Sequence, residues 1–339
     1  MLILFEKDYT KAQLEHVMEK VKATGCEPHL VHGLFKVTIN IIGDDTRLDP
    51  EIFKSYEGVE DVIAVSKPFP LVGREFKPED TVVRTHNVTF GPNHFVVIAG
   101  PCAVESEEQT LRIARAVKKA GAQILRGGAF KPRSSPYAFQ GMGVEGLKIL
   151  DIARKETGMP VITELLDVRD LDDICNYADI IQIGTRNMSN FSLLKEVGKT
   201  RKPVMLKRGM LATIDEWLMA AEYIYHEGNT QVILCERGIR SFDSKYTRNI
   251  VDLSAIPVIK HLSHLPISVD PSHATGRRDA VGPMTLAALA AGANSVMIDV
   301  HDDAESALCD GAQAITPHLF EGIMAGIRNL SKALGKELT

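Results

Sequence analysis

The chain has one tryptophan and five cysteines in 339 residues, and no apolar run long enough for a bilayer. A spanning helix needs roughly 20 consecutive apolar residues, so no membrane partner is expected. The opening segment MLILFEKDYTKAQLE is charged by Glu6 and lacks a secretory-signal pattern. Cys26, Cys102, Cys175, Cys235 and Cys309 are odd in number and have no paired spacing. That pattern predicts a reducing, cytoplasmic setting, where a cysteine is a small core residue, a ligand or a nucleophile. There is no Lys/Arg block, and 39 basic against 44 acidic residues leave a net charge of −5, which argues against nucleic acid as a partner. P-loop, GxSxG and HExxH motifs are missing as well. With 45% hydrophobic and 24% charged residues, general disorder is excluded.

What is present is periodicity. Leu2–Phe5 reads as a strand, and Thr10 opens a helix with Leu14, Val17, Met18 and Val21 on one face and Gly25 as a stop. EPHLV and LFKVTINIIG follow as strands around His32-Gly33. Asp49-Pro50 then starts the helix EIFKSYEG, and VEDVIAVS closes as a strand. The order βαββαβ is the ferredoxin-like arrangement. Residues 1–70 are therefore expected to form a small domain, 71–93 a linker and hairpin, and 94–339 the main domain.

In the main domain eight apolar runs each precede an amphipathic segment: FVVIAG, QILRGGA, PVITELL, IIQIG, PVMLKRG, QVILCERG, PISVDPSH and SVMIDVH. Eight units in about 245 residues match a (β/α)8 TIM barrel of the α/β class. A doubly wound open sheet is the alternative, and near-even spacing favours the barrel.

The ends of these runs are polar. They place Cys102 after the first strand, Arg126, Lys131 and Arg133 after the second, and Glu164 on the third. Gln182 and Arg186, Lys207 and Arg208, and Glu236 and Arg237 follow on the next three. Asp270 and His273, then Asp299 and His301, complete the set. In a barrel these ends converge on the face where active sites are built. So many cations at one mouth predict a strongly anionic ligand. Cys102, His273, Asp299 and Asp310 form a mixed S/N/O set suited to a divalent transition metal, although core and capping roles explain the same residues.

Two patterns are set aside. Gly141–Gly146 matches GxGxxG, but a loop with Pro132 and Pro136, not a strand, leads into it. His261 and His264 precede the seventh strand and belong to the opposite end of a barrel.

Taken together, IAGPCAVES, LRGGAFKPRSSPYAFQG, IIQIGTRN, VMLKRG, ILCERGIR, VDPSHATGRRD and DVH…CDG resemble 3-deoxy-D-arabino-heptulosonate 7-phosphate (DAHP) synthases. The resemblance is to the branch related to 3-deoxyoctulosonate 8-phosphate synthase, and it covers roughly residues 71–339. It implies condensation of phosphoenolpyruvate with erythrose 4-phosphate, releasing phosphate, as the first step of the shikimate pathway. Arg126, Lys131, Arg186, Lys207 and Arg237 would hold phosphoenolpyruvate. Lys131, Pro132, Arg133, Ser134 and Ser135 would hold erythrose 4-phosphate. Cys102, His273, Asp299 and Asp310 would bind one divalent metal ion of the Mn, Fe, Co or Zn class. The residues expected to take part in catalysis are Lys131 and Glu164, as proton carriers, with Cys102 and His273.

The family carries Glu where this sequence has Asp299, one methylene shorter. The octulosonate branch carries KANRS where this chain has Lys131-Pro132-Arg133-Ser134-Ser135, the pattern of the four-carbon acceptor. The N-terminal unit resembles a regulatory domain, which implies feedback by an aromatic amino acid; a plain oligomerisation unit is the alternative. A homotetramer is the expected assembly.

Overall fold

A computed structural model describes residues 1–33, 36–43, 45, 48–63 and 68–338. The chain divides into two compact units, Met1–Pro78 and Glu79–Thr339.

The first unit runs β1 (Leu2–Phe5), α1 (Lys11–Ala23), β2 (Glu27–His32), β3 (Val37–Ile42), α2 (Pro50–Lys54) and β4 (Val59–Ile63). Thr10 caps α1 in a reciprocal box: its hydroxyl accepts from the Gln13 amide, and Gln13 Oε1 accepts from the Thr10 amide at 2.7 Å. The antiparallel sheet has the order β2-β3-β1-β4, the ferredoxin-like topology. Ile3, Phe5, Val17, Val21, Ile39 and Phe53 form its core. The second helix is shorter than the sequence predicts. Ser55 Oγ donates back to the Ile52 carbonyl at 2.7 Å, a local bond that competes with continued helix. Leu34 and Phe35, and Ala64–Ser66 of the expected last strand, lie outside the described residues.

The second unit opens with a hairpin, β5 (Val83–Thr85) and β6 (Val88–Phe90). Eight parallel strands follow: β7 (His94–Gly100), β8 (Ile124–Arg126), β9 (Val161–Leu165), β10 (Ile180–Ile183), β11 (Val204–Lys207), β12 (Val232–Glu236), β13 (Ile267–Val269) and β14 (Ser295–Asp299). They pair in sequence order, and β14 returns to β7 from Ser295↔Val96 to Asp299↔Gly100. The sheet is closed, with helices between strands, so the fold is a (β/α)8 barrel. No described helix is long and apolar enough to cross a membrane.

One cluster joins the hairpin's Val83, Val88 and Phe90 to Val96, Ile98, Ile124, Ile162, Ile180, Met205, Ile233, Cys235 and Met297. The hairpin therefore plugs the N-terminal mouth. Successive strand side chains alternate faces, so the residue two beyond the last cluster member of six of these strands points inward near the other mouth. Ile124 is followed by Arg126, Ile162 by Glu164, Ile180 by Gln182, Met205 by Lys207, Cys235 by Arg237 and Met297 by Asp299. One periodicity thus sets an apolar plug at one end of the barrel and a polar floor at the other.

Strand β8 ends at Arg126, short of the expected QILRGGA. The two glycines that follow belong to a tight approach: a Cβ on Gly128 would lie 2.7 Å from the Cys102 carbonyl oxygen.

Candidate active site

A cavity of 560 Å³ opens at the C-terminal mouth. Arg126, Lys131, Arg133, Arg186, Lys207, Arg237, Arg240 and Arg248 line it, and of the carboxylates Glu164 and Asp310 do. Pro132, Ser134 and Ser135 form part of the wall, as do Gln182, His273 and Cys309.

Alternation separates neighbours that look equivalent in sequence. Lys207 faces the cavity and its Nζ donates to Asp270 Oδ2 at 2.5 Å. Arg208 turns away and is engaged by Glu236 at 3.3 Å and Asp252 at 2.8 Å. Glu236 also turns away, accepting from the Gly238 amide, whereas Arg237 faces in. Burial lowers the Arg237 pKa, and among the described residues no carboxylate lies within ion-pair distance of it. With the Asn249 carboxamide in the orientation that satisfies its neighbours, its oxygen accepts from Arg237 Nη1 at 3.1 Å. A buried cation without a counter-charge is costly, so this wall is built for an anion.

Beneath the cations lies a coupled set of groups. Arg126 pairs with Asp299 Oδ1 through Nη1 and donates from Nη2 to the Cys102 carbonyl at 3.3 Å. Gln313 Nε2 donates to Asp299 Oδ2 at 2.6 Å. Lys131 Nζ donates to the same Cys102 carbonyl at 3.0 Å and to Cys102 Sγ at 3.2 Å. Burial works against the Lys131 charge, but Cys102 and Cys309 outweigh it and hold its pKa above the ordinary value. A hydrogen bond from Cys309 draws the Cys102 thiol well below its usual range against burial, with help from Lys131 and His273. Burial would raise the Asp270 carboxyl; His273 and Lys207 instead hold it well below the ordinary range.

Ligand-type atoms gather around Cys102. Its Sγ lies 3.7 Å from His273 Nε2, 3.4 Å from Asp310 Oδ2 and 3.7 Å from Cys309 Sγ. Cys309 Sγ is 3.4 Å from Asp310 Oδ2, which is 3.7 Å from His273 Nε2. Two triads of potential ligands share Cys102: Cys102, Cys309 and Asp310, and Cys102, His273 and Asp299. Thiolate, imidazole and carboxylate donors at this spacing fit a divalent transition ion. The other imidazole nitrogen, Nδ1, lies 2.9 Å from Asp270 Oδ2, the carboxylate–histidine arrangement that orients metal-binding imidazoles.

Glu164 takes a hydrogen bond from Gln182 Nε2 at 3.2 Å. Its position depends on Gly184, where a Cβ would fall 1.8 Å from Glu164 Oε1. His301 is placed elsewhere: it is buried between Gln109, 2.9 Å away, and Glu105, 3.4 Å away. Gly143 of the GxGxxG segment caps the helix Val144–Thr157 behind the loop, with no strand leading into it. His264 Nδ1 lies 2.8 Å from the Thr81 hydroxyl.

Sequence reasoning missed Arg240, Arg248 and Cys309 as cavity residues. Arg240 and Arg248 sit on the long loop after β12, where no strand periodicity marks direction. Cys309 precedes Asp310 directly, and that adjacency was the available signal.

The model of the DAHP synthetase I family matches residues 78–334, and that of the DAHP synthase ferredoxin-like domain matches residues 1–67. Phospho-2-dehydro-3-deoxyheptonate aldolase of Thermotoga maritima is 46% identical over 335 residues, 99% of either chain. A 2-dehydro-3-deoxyphosphooctonate aldolase of Syntrophotalea carbinolica is 33% identical over 252 residues, 69% of this chain and 90% of its own. The crystal structure of the Thermotoga maritima DAHP synthase is 45% identical with a TM-score of 0.80, covering 100% of this chain and 99% of that one. A truncated form of that synthase is 47% identical with a TM-score of 0.75, covering 80% of this chain and 100% of that one.

Proposed function

The chain belongs to the DAHP synthetase I family, and we propose that it condenses phosphoenolpyruvate with D-erythrose 4-phosphate to DAHP and phosphate in a metal-dependent reaction. The observation that carries this reading is the cation-lined cavity, with Arg237 buried and, among the described residues, without a carboxylate in ion-pair distance. Two phosphorylated substrates supply the missing anions.

In this reading Arg126, Lys131, Arg186, Lys207 and Arg237 hold the phosphate and carboxylate of phosphoenolpyruvate. Lys131, Arg133, Ser134 and Ser135 hold the phosphosugar, with Pro132 stiffening the loop. The reaction joins C3 of phosphoenolpyruvate to the aldehyde carbon. Water adds at C2, and C–O cleavage then expels phosphate. The aldehyde oxygen gains a proton and the attacking water loses one, and Lys131, after β8, and Glu164, on the neighbouring β9, are the carriers. Cys102, His273 and Asp310, with Asp299 close by, would hold a divalent transition ion, which when bound supplies Lewis-acid activation of an aldehyde or a water. The cation ring orients both substrates for attack, where alignment outweighs intrinsic reactivity.

Residues 1–70 are proposed to carry feedback control by an aromatic amino acid in a cytoplasmic homotetramer. The ferredoxin-like unit has its own core, and its match to the DAHP synthase ferredoxin-like domain supports the assignment. A shortened chain beginning near Val72 is expected to keep erythrose 4-phosphate-dependent turnover and lose inhibition by phenylalanine, tyrosine or tryptophan. Initial rates with each amino acid, on both chains, make the comparison. Equal inhibition of the two would refute the regulatory role, and an inactive but folded barrel would count against the catalytic one.

A further inference from the structure

We propose that Cys309 is a ligand of the divalent ion, giving the site two thiolates, while Asp299 stands behind it as the partner of Arg126 and His273. The proposal rests on the metal dependence argued above and names a donor outside the set Cys102, His273, Asp299 and Asp310.

The geometry separates the two candidates by the two nitrogens of one imidazole. His273 Nε2 faces Cys102 Sγ and Asp310 Oδ2, each at 3.7 Å. His273 Nδ1 faces Asp270 at 2.9 Å and Asp299 Oδ2 at 3.5 Å. A metal-bound imidazole uses one nitrogen for the ion and turns the other to a carboxylate. Cys102 and Asp310 mark the Nε2 side as the ion's side, and Cys309 Sγ belongs to that side, 3.7 Å from Cys102 Sγ and 3.4 Å from Asp310 Oδ2. Neighbouring donors around a tetrahedral ion, bound at about 2.3 Å for sulfur and about 2.0 Å for nitrogen or oxygen, stand roughly 3.3 to 3.8 Å apart. The separations of Cys102 Sγ from the other three atoms, and of Asp310 Oδ2 from Cys309 Sγ and His273 Nε2, fall in that range.

Asp299 is committed elsewhere. One of its oxygens pairs with Arg126 and the other accepts from Gln313 at 2.6 Å. Reaching the ion would strip a fully buried carboxylate of these partners, and its side chain is short. Cys309 is 3% exposed and already meets a cation, with Arg133 Nη1 2.6 Å from its sulfur. A thiol that coordinates a metal ion gives up its proton on binding. Two thiolates favour a soft or borderline ion, such as zinc, cobalt or cadmium, over an oxygen-preferring one such as manganese.

The test uses the full-length protein, stripped by chelation, kept reduced and loaded with cobalt(II). Bound cobalt is measured directly, and the ligand shell is read by X-ray absorption and by thiolate-to-cobalt charge-transfer absorbance per bound ion. Wild type is expected to show two sulfur neighbours. Cys309→Ser and Cys309→Ala should each show one, with the absorbance per cobalt cut to about half, as should Cys102→Ser. One sulfur in wild type, or two in the folded Cys309 variants, would overturn the proposal. Wild type that binds no cobalt at all would overturn it together with the metal dependence, a distinct outcome.

Discussion

Replacing Lys131 with methionine is expected to lower kcat by about 10²- to 10³-fold, the scale seen when one preorganised donor is removed from an active site. Lys131 is 6% exposed, and its ammonium is pinned to the Cys102 carbonyl and sulfur. Methionine keeps the length and volume of the stem, so the loop should still pack; what disappears is the charge. That charge faces both candidate substrate subsites and also balances the Cys102 thiolate. The loss should therefore appear mainly in kcat, with circular dichroism unchanged. Phosphate release under saturating substrates measures it. A folded Lys131→Met protein within tenfold of wild type would remove Lys131 from the chemistry.

The second large effect is on stability and falls on a residue that follows Lys207 directly at a polar strand end but is outside the expected substrate-binding set. Arg208→Met is expected to destabilise the barrel by about 3–5 kcal/mol, because it leaves Glu236 fully buried without its cation. Arg208 also donates to the Ala212 carbonyl at 3.0 Å and lies over the Trp217 ring. Burial already raises the Glu236 carboxyl pKa, and removing Arg208 raises it further. A group raised in the folded state gives stability at low pH that is lost as pH climbs through its folded value. The deficit of the variant should thus be full at neutral pH and shrink on acidification. Trp217, the single tryptophan, is buried beside Arg208, so its fluorescence in a denaturant titration reports this unit. Turnover of the folded fraction should change little, since Arg208 does not line the cavity. An unchanged denaturation midpoint with a raised KM for phosphoenolpyruvate would contradict the assignment.

The contrast between Lys207 and Arg208 shows what was legible in the sequence. Hydrophobic period and strand count predicted the closed barrel, and the polar strand ends predicted where the site would gather. The two-residue alternation that sends Lys207 inward and Arg208 outward was also present, through Met205 beneath Lys207. It becomes decisive only once a neighbouring strand fixes which face is the interior. Arg240 and Arg248 were not legible because their loop has no period. Cys309 was open between core residue, ligand and nucleophile; its place 3.7 Å from Cys102 Sγ is concealed by 207 positions of chain. Asp299 read as part of the metal set, with direct ligation left open by its short side chain; in the structure its oxygens meet Arg126 and Gln313. Such partner exchange is set by tertiary packing, which strand pattern does not encode.

The central claim is that this barrel is a metal-dependent synthase for a four-carbon phosphosugar. Its most direct test is to strip the full-length protein with a chelator and follow phosphoenolpyruvate loss as divalent metals are restored singly. Erythrose 4-phosphate and arabinose 5-phosphate are compared as acceptors. Metal-restored turnover with erythrose 4-phosphate alone is the predicted result. Turnover with neither sugar under any metal would contradict it and leave a barrel that binds anions without catalysis.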